Sequence, residues 1–299
     1  MRGVYIANLL AQCAIVVTGA VVRLTGSGLG CPTWPECVEG SYAPTARQPQ
    51  AWHKYVEFGN RLLTFVLVAL AVAAIVAAIV DARRRRSSGA APRPVLLWLA
   101  CIPILGTVAQ AVLGGVTVRT GLHPATVSAH FLLSMVVIAG TVALVVRSSD
   151  VADQPVIRLV PQPVVILSWV LVAVSAAVVL LGVIVTGSGP YSGDAASENR
   201  YSFDPRTVSW LHADVVLLFL GLLVGLLVAL SLVAAPRRAR FWAWLLFAVA
   251  VTQGVLGYTQ YFTGEPIALV VIHVMGATAT WAIVLFLPPS LRSRGAAPA

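Results

Sequence analysis

The chain has 299 residues, of which 59% are apolar and 10% charged, with a mean hydropathy of +0.89. Soluble domains run at about 45–50% apolar and roughly 25% charged, so too few polar residues exist here to cover a soluble fold, and disorder, collagen and a disulfide-rich mini-protein are excluded as well. The net charge of +9 does not point to nucleic acid, because the basic residues, all Arg except Lys54, sit mostly in short gaps between apolar runs.

At about 20 apolar residues per membrane crossing, eight helical spans are predicted, over 3–23, 55–80, 95–117, 125–147, 164–185, 208–234, 241–260 and 266–288. The runs are continuous and do not alternate, which argues against a β-barrel. The first begins almost at Met1 and lacks a small-residue cleavage site at its end (Val22-Arg23-Leu24-Thr25), so it reads as a retained helix and not a removed signal peptide. Thirteen basic residues fall before span 1 or after spans 2, 4, 6 and 8: Arg2, Arg83 to Arg86, Arg93, Arg147, Arg158, Arg237, Arg238, Arg240, Arg292 and Arg294. Seven fall on the other side, where eight of the eleven acids also lie. The positive-inside rule predicts a multi-pass protein of the cell membrane with both termini cytoplasmic and the long gaps 24–54 and 186–207 facing outward.

The sequence repeats itself. Gln110-Ala-Val-Leu-Gly114 recurs as Gln253-Gly-Val-Leu-Gly257, and at the same offset of 143 Thr120-Gly121 becomes Thr263-Gly264 and His130 becomes His273. Thr25-Gly-Ser-Gly28 is echoed by Thr186-Gly-Ser-Gly189. An even number of spans per half makes both halves enter from the same side, the parallel type of repeat. The expected fold is an all-α membrane protein of two tandem four-helix bundles related by a pseudo-twofold axis along the membrane normal. The halves are 1–147 and 164–299, joined by a cytoplasmic linker over 148–163.

Of the five histidines, His130, His212 and His273 lie one to two turns inside spans 4, 6 and 8, near their outer ends. Ionisable residues within spans are functional candidates. Imidazoles from facing helices are axial ligands of haem iron, although a single buried His also serves as a packing residue. Ala129 beside His130 and Gly276 one turn after His273 offer room for close approach. No His-x-x-x-His or Cys-x-x-Cys spacing points to zinc. His123, before Pro124, reads as interfacial.

Span 2 opens with His53-Lys-Tyr-Val-Glu57-Phe-Gly-Asn60-Arg61, whose positions 53, 57 and 60 share one helix face. Glu57 has three readings: a helix-entry acid, an i+4 partner of Arg61, or a proton-transfer and charge-stabilising group. Cys31 and Cys37 lie in the first outward gap, where a disulfide is permitted and a redox-active pair is the alternative. Arg23, Arg61 and Arg119 at the outer boundary either snorkel to lipid phosphates or pair with carboxylates of an amphipathic ligand.

Together, Gly28-Leu-Gly-Cys31-Pro-Thr-Trp34-Pro-Glu-Cys37, Glu57-Phe-Gly-Asn60-Arg61, Thr120-Gly-Leu-His-Pro124 with Ala129-His130-Phe, Leu211-His212-Ala-Asp214 and His273-Val-Met-Gly276 resemble heme A synthase, an eight-helix membrane enzyme family of aerobic respiration. The resemblance covers nearly the whole chain. It implies an oxidoreductase that turns haem O into haem A by oxidising the C8 methyl to a formyl group through two hydroxylations and loss of water from the geminal diol, with the formyl oxygen drawn from water. It implies a haem b on His212 and His273 in the second half, and substrate haem in the first half with His130 as ligand, Glu57 beside the reacting edge, and Asn60 and Arg61 in the haem site. It implies a Cys31–Cys37 pair linked to haem transfer or electron input. Expected partners are the haem O-producing farnesyltransferase, cytochrome oxidase assembly factors and membrane lipid, with homo-oligomerisation open and no nucleic acid. The sequence departs from the family at Asn60, where a His is usual in Glu-x-x-His-Arg; His53, seven residues earlier, is the substitute considered. The alternative function is a non-enzymatic b-type cytochrome passing electrons between quinol and a partner; a transporter fits less well, since the polar residues cluster at the outer ends.

Overall fold

The structure is a computed structural model and describes residues 1–193 and 199–294, so part of the second outer gap and the last five residues lie outside the described residues. Eight helices make it up: α1 (Arg2–Leu24), α2 (His53–Ser87), α3 (Pro94–Arg119), α4 (Pro124–Arg147), α5 (Gln162–Ser188), α6 (Pro205–Leu232), α7 (Arg237–Phe262) and α8 (Ile267–Ser290). All eight are long and apolar enough to cross a membrane, as the hydropathy pattern predicts.

The helices outrun the apolar windows. α2 extends through Arg83–Arg86 to Ser87, because Arg is a good helix former and favours the negative end of the helix dipole. α6 begins at Pro205 with Asp204 as its cap, accepting from the Thr207 N–H at 2.8 Å. Prolines mark the starts of α3, α4, α5 and α6, where a missing N–H has no consequence. The turns α3–α4 and α7–α8 share one form. Gly121 and Gly264 take φ of 62° and 77°, and the next residues, Leu122 and Glu265, are also left-handed. Leu122 N–H then bonds Thr117 O, and Glu265 N–H bonds Gln260 O. These are helix-terminal closures that glycine makes easy.

Within 1–147, α1, α2, α3 and α4 pack in a ring, and α5 to α8 pack in a ring of the same order. The two rings meet through α1–α8, α4–α5 and α4–α8; Trp281 Nε1 donates to Met135 O across this seam at 2.9 Å. At the arginine-rich end the three acids are all ion-paired: Asp81 with Arg85 and Arg93, Asp150 and Asp153 with Arg147. A feature the sequence did not announce lies there too. Val156–Arg158 of the linker forms a two-stranded antiparallel ribbon with Arg292–Arg294 (β1 and β2), tying the linker to the end of α8.

Candidate functional site

At the end opposite the arginines, both rings open into one continuous cavity of about 920 Å³, at the upper end of the roughly 300–1,000 Å³ usual for ligand pockets. Glu57, Asn60, Arg61, His130, His212 and His273 all line it. Residues more than 200 positions apart are thus brought to one space.

The three histidines are seated alike. A Cβ placed on Gly114 would stand 3.3 Å from His130 Cε1, on Gly182 3.3 Å from His212 Cε1, and on Gly257 3.4 Å from His273 Cε1. Each imidazole therefore meets the preceding helix through its Cε1–Nδ1 edge, and a larger residue there would press on the ring. Each Nδ1 is buried without a hydrogen-bond partner, while Nε2 is left on the cavity side, free to ligate. Gly276 does not make room for His273 as expected. A side chain there would overlap the Gln253 amide instead, because Gln253 and Gly276 face each other across α7 and α8. Its counterpart Gln110 donates to His130 O at 3.0 Å and to Ser134 Oγ at 2.6 Å, fixing the register of α4. Among the described residues no three of His, Cys, Asp and Glu cluster as metal ligands. Isolated imidazoles along a large cavity suit a metal that brings its own equatorial ligands, which is the donor set of haem.

The first outer gap folds as a roof. Cys31 and Cys37 are disulfide-bonded. Glu57 accepts from the Cys31 N–H at 2.7 Å and from Arg61 Nε and Nη2 at 3.1 and 2.5 Å. Arg61 also donates to the carbonyls of Cys31, Thr33 and Glu36, so its five N–H donors are used within the protein. Lys54 is 5% exposed and holds Thr45 O and Gln48 O. The Trp34 ring lies on Gly115, where any side chain would collide with it. Arg119 sits over that ring and donates to Trp34 O at 3.2 Å.

Asn60 lies in the cavity wall and accepts from Thr18 Oγ1 at 2.7 Å. His53 lies elsewhere: its Nδ1 is 2.9 Å from Ser27 Oγ and its ring stacks on Trp52. His123 caps α4, accepting from the Ala125 N–H. Arg23 faces the cavity without a protein partner among the described residues: its Nε is buried and unbonded, and no ion pair reaches it. Glu265, in the α7–α8 turn, also lines the cavity, and burial pushes its carboxyl above the ordinary range.

The chain matches the sequence model of the COX15-CtaA family, described as cytochrome oxidase assembly protein, over residues 3–285. Heme A synthase of Geobacillus kaustophilus is 34% identical over 116 residues, covering 39% of this chain and 32% of that protein. The protein of the same name from Geobacillus thermodenitrificans is 34% identical over 110 residues, 36% of this chain and 30% of the relative. Heme A synthase of Listeria monocytogenes is 28% identical over 145 residues, 48% of this chain and 44% of the relative. The alignments thus span between about a third and under half of these relatives' lengths.

Proposed function

From the membership of this chain in the COX15-CtaA family of cytochrome oxidase assembly proteins, we propose that it is a membrane oxidoreductase converting haem O to haem A. The C8 methyl of the substrate becomes a formyl group: two waters add, one leaves with the collapse of the diol, and four protons and four electrons depart to an acceptor. The observation that carries this proposal is the row of three glycine-seated imidazoles along one cavity, on a chain that shares its family with heme A synthases.

Haem b would be held by His212 and His273 in the half 164–299 and would supply an electron-transfer centre. Substrate haem would be held in the half 1–147, with His130 as its main protein ligand. Asn60, an amide already bonded to Thr18, is a weak ligand, so the second face of the substrate iron is left for water. Arg23 would hold a substrate carboxylate, as no ion pair reaches its guanidinium among the described residues. Arg61 acts by fixing Glu57 and the roof. Each Glu57 oxygen already accepts a bond but has a further lone pair, so the carboxylate can take a proton from an attacking water and stabilise positive charge at the reacting carbon. The roof with its Cys31–Cys37 bridge closes the substrate half. The ring order supports reading the two bundles as an internal repeat, with the arginine-rich end and both termini in the cytoplasm. The haem O-producing farnesyltransferase and oxidase assembly factors are the proposed partners.

Expression in a host that accumulates haem O tests this reading. Haem A should appear in its membranes, and the purified chain should carry haem b with substoichiometric haem O or A. Haem b alone, with no haem A formed, would favour the electron-passing cytochrome.

A further inference from the structure

In each half, the bundle below the cavity is closed by buried side chains toward the arginine-rich end. In the second half leucines dominate the closure: Leu171, Leu223, Leu226 and Leu230 belong to one buried cluster, and the buried Ser168 is satisfied by Val165 O of its own helix. In the first half, beside an apolar cluster that includes Leu9, Ile138 and Leu144, α1 adds Tyr5, Asn8 and Gln12 to the buried side chains. Their spacing of three and four puts them on one helix face, and they are 1%, 0% and 6% exposed. Tyr5 Oη, Asn8 Oδ1, Asn8 Nδ2 and Gln12 Nε2 are buried with no hydrogen-bond partner among the described residues. Gln12 opens into the cavity. Seven residues away, about 10 Å along the helix, Tyr5 lies within electrostatic reach of Asp81 and Arg93, whose 2.7 Å ion pair stands at the closed end.

Polar groups buried at membrane depth find partners, and intramembrane polar residues mark functional paths. Here protein supplies none. The amides offer both donors and acceptors and the phenol offers one of each. A neutral, mixed set of this kind suits water, which takes about three hydrogen bonds when buried, better than an ion of either sign. We propose that Tyr5, Asn8 and Gln12 bind a short file of water molecules, open to the cavity at Gln12 and stopped at Tyr5, that supplies water to the substrate half. The use of that water rests on the proposed function: each methyl oxidised takes up two waters and expels one, in a site otherwise walled by apolar helices. The second half, which performs no water chemistry under that proposal, closes mainly with leucines. The dead end at Tyr5 lets water in from the cavity without joining the two faces of the membrane.

Hydroxyl-radical labelling by X-ray radiolysis of the full chain in lipid nanodiscs tests the proposal, since radicals formed from bound water oxidise the side chain beside it. Tyr5 should be oxidised well above Leu171, which is 0% exposed, after correction for intrinsic reactivity. The Tyr5 label should be lost in the Asn8→Leu, Gln12→Leu double variant with its haem b spectrum intact. An unlabelled Tyr5 in the unaltered protein overturns the proposal without any variant; so does a label that survives the double substitution. In the haem O-accumulating host the double variant should form haem A more slowly. An unchanged rate together with a lost label overturns the supply role. Absence of haem A from the unaltered chain would instead overturn the proposed function, while the labelling still decides whether the column is wet.

Discussion

The His212 imidazole rests on Gly182 of the neighbouring helix, 3.3 Å from where a Cβ would stand. The contact limits where the ring can sit, and a backbone interaction with Val178, on the same helix as Gly182, adds to it. Replacing His212 or His273 with Ala should abolish the low-spin b-type absorption of the purified protein, and Gly182→Val should displace the ring and weaken that absorption. An unchanged spectrum in both histidine variants would remove the haem b assignment.

Arg23 is a guanidinium in a cavity wall that no ion pair reaches among the described residues. Such a charge is strongly disfavoured unless a ligand completes it. Hydrogen bonds to charged groups contribute about 1.5–3 kcal/mol, so Arg23→Gln should weaken binding of a haem carboxylate by roughly ten- to a hundredfold. Arg23→Lys should restore part of it. Titration of the purified protein with haem O reads this directly; equal affinity in Arg23→Gln would assign Arg23 to membrane anchoring.

Cys31 and Cys37 close a short ring within the roof. Mass spectrometry without reduction should find their peptides linked. The double Cys→Ser variant should lose about 2 kcal/mol by the chain-entropy argument, a modest effect because Lys54, Arg61 and Gln48 hold the same loop. Two freely alkylated thiols in protein isolated without reductant would contradict the bond.

The eight helices were legible because each carries a long apolar run, and the candidate histidines because two of them repeat at a fixed offset. Gly114 and Gly257 each precede their histidine by 16 residues, so their role was within reach of the repeat. Gly182 was not, because the connection between α5 and α6 is longer than the α3–α4 and α7–α8 turns and puts it 30 residues from His212. The Arg61–Glu57 pair is legible in the i+4 spacing, but nothing local to Lys54 or Arg61 reveals that backbone carbonyls of a folded-back loop meet them. The Tyr5, Asn8 and Gln12 face is not legible in the sequence, because three polar residues barely dent an apolar window. Helix packing decides that they face inward.

Glu265 sits half-buried in a turn with φ of 58°. Burial raises its folded pKa above its ordinary value of 4.5, so the folded state holds the proton more tightly than the unfolded one. Stability therefore falls as pH rises from about 4.5 through the folded pKa. Glu265→Gln removes the penalty. Its thermal midpoint should exceed that of the unaltered protein at pH 7 and match it below pH about 4. A gain that is the same at both pH values would place the effect elsewhere.

Glu57 is bonded to Arg61 and to the Cys31 N–H at once, so it can serve the roof, the chemistry, or both. Glu57→Gln preserves the shape and one acceptor but removes the charge. If the carboxylate acts on the attacking water, haem A formation should fall by at least about a hundredfold, the lower range for a lost general base, with haem O or the hydroxylated intermediate accumulating. The haem b spectrum should persist, because His212 and His273 lie in the other ring. A purely structural role predicts a different pattern: labelling of the roof by proteases or alkylation would rise, and Arg61→Gln would copy it in full. Asn60→Ala should be milder than Glu57→Gln, as it removes only a weak ligand and the bond to Thr18. Normal haem A output from Glu57→Gln together with its loss in Asn60→Ala would reverse the two roles.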